Sequence, residues 1–121
     1  MQSPAQVVQA QLDAYNRKDL DALLATYAAD ACMYAYPATL VAQGHAAIRA
    51  RMVQRFAEPD LHARLRRRVV LGEVVIDDEI VTRNFPEGRG TQAMTMIYRV
   101  SDGRTRDASA IMGEMRLDAS V

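Results

Sequence analysis

Apolar residues recur at helical spacing through the first part of the chain. Val8, Gln11, Leu12 and Tyr15 fall at i, i+3, i+4 and i+7, one face of an amphipathic helix that carries an amide within its stripe. Ser3-Pro4 supplies the start: a hydroxyl able to cap, then a proline in the first turn, where its missing N–H costs nothing. Asn16-Arg17-Lys18 breaks the pattern, Asp19 can cap a second helix, and Leu20, Leu23, Leu24 and Tyr27 repeat the same spacing. Residues 31–43 have no helical period and contain Pro37, which predicts a short, twisted hairpin. Gly44 opens a third helix with Ile48, Met52, Val53 and Phe56 on one side. Glu58-Pro59 ends it, because the residue before proline is pushed out of the α region.

From Leu61 the period becomes two. Leu61, Ala63 and Leu65 alternate with His62, Arg64 and Arg66, a half-buried strand, and Arg67 interrupts the alternation, which predicts a bulge or tight bend. Val74–Arg83 reads as a further strand and Asn84–Gly90 as a loop. Thr91–Val100 and Arg104–Met112 read as two strands joined through Asp102-Gly103, a strong hairpin signal. Helices followed by an antiparallel meander, without repeats or linkers, predict one α+β domain over residues 1–121. On the penultimate strand Gln92, Met94, Met96, Tyr98 and Val100 share one face. Large Met and Tyr side chains there, beside Ala108, Ala110 and Met112 on the last strand, suit a concave floor. The opposite face, with Ala93, Ile97 and Ile111, is apolar enough to predict a homodimer through the outer side of the sheet.

Composition narrows the function classes. Of 121 residues half are hydrophobic and a quarter charged, a globular balance, and Lys+Arg equals Asp+Glu at 15 each. A chain without basic excess is not built for nucleic acid. One cysteine, Cys32, allows no intrachain disulfide, no apolar run reaches the ~18 residues of a membrane span, and Met1–Val8 lacks a signal-peptide pattern. The expectation is a cytoplasmic protein that engages no membrane.

Tyr15-Asn16-Arg17-Lys18-Asp19-Leu20-Asp21-Ala22-Leu23 with Tyr27-Ala28-Ala29-Asp30 resembles the opening of nuclear transport factor 2-like proteins, the superfamily of ketosteroid isomerases and SnoaL-like polyketide cyclases. The likeness continues through Gln43-Gly44, Ala47-Ile48-Arg49, Pro59-Asp60-Leu61-His62 and Ile97-Tyr98-Arg99-Val100. It implies a cone-shaped, cystatin-like α+β roll, three N-terminal helices packed on a strongly curved antiparallel sheet with a deep pocket between them. Ketosteroid isomerases use a carboxylate base together with a Tyr and a protonated Asp as donors. Ungapped alignment of each segment puts Gln11 at the first-helix Tyr, Ala35 at the base and Met96 at the donor Asp; a one-residue slip puts Tyr36 at the base. The sequence Tyr34-Ala35-Tyr36-Pro37 stands where such relatives often carry Tyr-Asp-Tyr-Pro. The isomerase's own groups are therefore absent.

The candidate ligand pocket comprises Gln11, Tyr15, Tyr34, Ala35, Tyr36, Met52, Met94, Met96, Ala110 and Met112. Gln11 and the tyrosines supply hydrogen bonds; no catalytic residue can be assigned among them. Asp77, Asp78 and Glu79 form a run that reads as a solvated hairpin end, with Asp78 facing opposite to its neighbours. His45 and His62 read as exposed, and with neither Cys nor HxxxH partners they make no metal site. Arg64–Arg68 reads as ion pairing at a sheet edge. No phosphate loop, dinucleotide fingerprint or Ser-His-Asp pattern is present, and no cofactor is expected. Two functions fit: a small-molecule-binding protein with a pocket for a hydrophobic or aromatic metabolite, or an isomerase, cyclase or dehydratase that works without the usual Asp base.

Overall fold

The first helix, α1 (Pro4–Arg17), begins where the Ser3-Pro4 signal places it: Ser3 and Gln6 form a capping box, each side chain bonded to the other's backbone N–H. In this computed structural model, which describes residues 1–118, three helices lie on one face of a six-stranded sheet. Helix α2 (Leu20–Ala25) is capped by Asp19, and α3 (Gly44–Phe56) follows the hairpin of β1 (Tyr27–Ala35) and β2 (Thr39–Gln43). The remaining strands are β3 (His62–Leu71), β4 (Val74–Phe85), β5 (Gly88–Ser101) and β6 (Arg104–Leu117). Their order in the sheet is β2-β1-β6-β5-β4-β3, antiparallel throughout except that β1 runs parallel to β6.

Three sequence-based element assignments shift, and so does the burial of one histidine. Tyr27 opens β1 rather than closing α2, which ends at Ala25 with Thr26 as its cap. Asn84–Gly90 is not a loop: β4 and β5 pair out to Phe85 and Gly88, leaving only Pro86 and Glu87 to turn. Gly90 makes the neighbouring contact possible, since a Cβ there would lie 2.2 Å from the Arg116 carbonyl oxygen of β6. The last strand runs to Leu117 instead of Met112. His45 is half-buried, its Nε2 2.9 Å from the Tyr27 carbonyl oxygen, while His62 is exposed.

The core lies between the three helices and the inner sheet face, where Val7, Val8, Leu23, Tyr27, Ile48, Val75 and Val81 are almost wholly buried. Burial of each such side chain stabilises by roughly 1.5–3 kcal/mol. Asn16 ties the end of α1 to β3 through both its amide atoms, at 2.9 and 2.8 Å from the Ala63 backbone. Register shifts at Leu65/Arg67, Gln92/Met94 and Arg99/Val100 bend the strands, so the sheet curls around the helices rather than lying flat. The outer face keeps Ala93 and Ile97 half-buried and leaves Ile111 exposed. No helix among the described residues is long and apolar enough to cross a membrane.

Candidate functional site

The curl of the sheet leaves a cavity of ≈ 150 Å³ between α1, α3 and the inner face of β1, β4, β5 and β6. Strand parity sets its floor. Glu79 pairs with Met94 and Met94 with Met112 across three strands; one step along, Met96 pairs with Ala110 and Ala110 with Ala35. Alternate residues point to one face, so these two rows face the helices together. Nine of the ten candidate positions line the cavity: Gln11 and Tyr15 from α1, Met52 from α3, Tyr34 and Ala35 from β1, and Met94, Met96, Ala110 and Met112 from the sheet. Tyr36 does not. It is 58% exposed, so the register of the hairpin places Ala35 at the cavity and turns Tyr36 to solvent.

Ten further residues line this space: Tyr98 and Ala108, placed on the concave floor by the sequence but not among the candidates, and Leu12, Tyr27, Met33, Val41, Arg51, Arg55, Glu79 and Val81. Glu79 is the consequential omission, and it corrects the expected solvated acid cluster. Val75, Asp77, Glu79 and Val81 alternate inward along β4 and all four are buried, whereas Asp78 faces out to Arg66. The signal was available: two valines share the parity of the two acids. Three consecutive acids instead suggested water.

The two buried acids differ in their surroundings. Asp77 lies under α1 and is gripped in a fork by Arg68, Nε to Oδ1 at 2.7 Å and Nη2 to Oδ2 at 2.9 Å, while Arg68 Nη1 donates to Gln9 of α1. Glu79 receives no hydrogen bond from any described residue, although it is only 5% exposed. Burial, reinforced by the negative charge of Asp77, pushes its carboxyl up to about 7. Glu79 thus presents a carboxyl that is half ionised near neutral pH to a mostly apolar space.

Polar groups cluster at the buried end. The Tyr98 hydroxyl donates to Gln11 Oε1 at 3.2 Å, which satisfies one part of the amide on the helix stripe. The Tyr15 ring meets Phe56 edge to face at 5.7 Å and its hydroxyl accepts from Arg55 at 3.4 Å. Burial raises the phenols of Tyr15, Tyr27 and Tyr98 above their ordinary range, so all three stay protonated donors. At the other end Ala35, Val41, Arg51 and Met112 are exposed and form the mouth. Among the described residues no group of three or more His, Cys, Asp or Glu is placed to hold a metal.

Comparison with known proteins agrees with this architecture. The sequence profile of the SnoaL-like domain matches residues 8–108. An uncharacterised cystatin-fold protein from Novosphingobium aromaticivorans superposes with a TM-score of 0.84 at 24% identity, over 92% of this chain and 99% of that one. A candidate polyketide cyclase from Sinorhizobium meliloti superposes at 0.72 with 26% identity, over 87% and 93%. An LEH-like epoxide hydrolase from M. tuberculosis, at 0.78 and 15% identity over 91% and 82%, shares the fold. No curated protein matches the sequence.

Proposed function

Because the chain belongs to the SnoaL-like domain family, we propose that it binds a small apolar or aromatic metabolite in the cavity between α1, α3 and the sheet. One observation carries the reading: a largely apolar cavity with the buried polar groups of Gln11, Tyr15, Tyr27, Glu79 and Tyr98 gathered away from its open mouth. A ligand would enter with its apolar body against the methionines and its polar group leading toward Gln11, Tyr27 and Glu79. Apolar cavities of about 150 Å³ take guests the size of benzene, and an open mouth admits more. Methionine side chains adapt to such guests, since their unbranched thioethers refit at small cost. Native mass spectrometry of the freshly isolated protein is expected to show a noncovalent small-molecule adduct. The Ala110→Phe variant, whose ring fills the cavity floor, is expected to lose it. A wild-type protein that carries no adduct and leaves added benzyl alcohol unbound would sink the reading.

A second reading, an isomerase, cyclase or dehydratase, is favoured by Glu79. A carboxyl that titrates near neutral pH can take and return a proton at a bound substrate, the property that the Ala35 position has lost. The fold that this chain shares with a candidate polyketide cyclase and an epoxide hydrolase is compatible with such chemistry.

A further inference from the structure

Glu79 is the one charged side chain that faces the cavity from a buried position without a partner among the described residues. A neutral carboxyl there has no bonded acceptor for its proton, and an ionised one has no cation bonded to it; both forms leave room for a partner from outside the chain. The neighbouring cations are committed. Arg68 of β3 spends three N–H groups on Asp77 and Gln9. Arg83 of β4 forks onto Glu58 at 2.8 and 2.8 Å, and Arg55 of α3 lies 3.8 Å from the same Glu58 and against the Tyr15 hydroxyl. Arg51 is exposed at the mouth, where water screens it. The charges that act on Glu79 are those of Asp77, Asp78 and Arg68, two negative and one positive.

We propose that the cavity takes an organic cation, an apolar or aromatic amine whose ammonium group pairs with Glu79. The inference rests on the binding reading above and names its ligand class. An ammonium brings the missing charge and three donors at once. Glu79 offers two acceptor oxygens, and the Tyr27 hydroxyl and Gln11 Oε1 stand at the same buried end. Hydrogen bonds between charged partners are about twice as strong as neutral ones, so an amine gains more here than an alcohol or ketone of the same shape. The rings of Tyr15, Tyr27 and Tyr98 add electron-rich surface that attracts cations. The pairing also sets a pH signature. Burial holds part of the Glu79 population protonated near neutrality, so amine binding should strengthen as pH rises through about 7 and Glu79 ionises. The buried tyrosines stay protonated across that range and contribute no competing step.

Calorimetry with benzylamine, benzyl alcohol and benzoate, each at about pH 6 and about pH 8, separates the possibilities. The expected result is benzylamine binding about tenfold tighter than benzyl alcohol at the higher pH, an advantage that shrinks at the lower one. Glu79→Gln should bring the amine-to-alcohol ratio to about one, while Glu79→Asp, which keeps the charge, should retain part of it; melting curves of both variants confirm that they fold. Equal binding of amine and alcohol, an advantage that survives Glu79→Gln, or preference for benzoate overturns the cation proposal, while alcohol binding keeps the ligand reading intact. Failure of all three probes to bind removes both.

Discussion

Asp77 and Glu79 stand two residues apart on β4 and face the same way, yet only one of them has a partner. That contrast separates an acid neutralised inside the fold from one left open to the cavity. Asp77 is neutralised where α1 covers it; Glu79 is left to the cavity and holds its proton to about 7 instead of the ordinary 4.5. A carboxyl whose folded value lies above its unfolded value adds stability while protonated. That contribution is complete below about 4.5, falls as pH rises through about 7, and is gone above. The difference amounts to at most about 3 kcal/mol. Glu79→Gln should therefore gain on the wild type in urea unfolding as pH rises across this window, and stop gaining above it. A gap that is flat with pH contradicts a raised Glu79. Carbon-13 detection of the Glu79 carboxyl, with a midpoint near 7, would give the same answer directly. At this scale the sequence was least legible. The identity of every lining residue was in view, and the parity of Val75 and Val81 marked Glu79 as inward, but three consecutive acids masked that signal.

The elements explain how an edge strand reaches inward to serve the core. Alternation along β3 would send Arg67 toward the helices; the bulge between Leu65 and Arg67 advances the strand by one residue and delivers Arg68 to Asp77 instead. Arg66, on the outer side, meets Asp78 in a pair that is about 40% exposed at both ends. The two pairs should behave differently. Arg68→Ala strands a buried carboxylate and should cost about 3–5 kcal/mol, whereas Arg66→Ala should cost no more than about 1 kcal/mol. Equal losses in chemical denaturation would show that the Asp77 pair is not buried as described. Most elements were readable from period and local signals together: the capped starts of α1 and α2, the stop at Glu58-Pro59, the break at Arg67 and the Asp102-Gly103 turn. The end of β4 and the start of β5 were not, because Gly88 and Gly90 read as loop residues. Here they allow a tight turn and a close approach of two backbones.

For the molecule as a whole, the helices and the curled sheet together make a space that neither encloses alone. The order of elements, and the resemblance that ran with it, pointed to that space and to nine of its nineteen lining residues. The sequence pointed equally to Ala35 and Tyr36, and pairing with β6 placed the former at the cavity and the latter outside it. What the sequence did not convey was polarity, an apolar chamber with an acid at its buried end. The claim that this chamber is where a ligand sits can be tested with methyl-labelled methionine. Five of the seven methionines, Met33, Met52, Met94, Met96 and Met112, line the cavity, and Met1 and Met115 do not. On titration with benzylamine the five cavity methyls are expected to shift together and saturably in the NMR spectrum while Met1 and Met115 stay in place. Shifts of equal size at all seven, or confined to Met1 and Met115, would contradict a ligand site in the cavity.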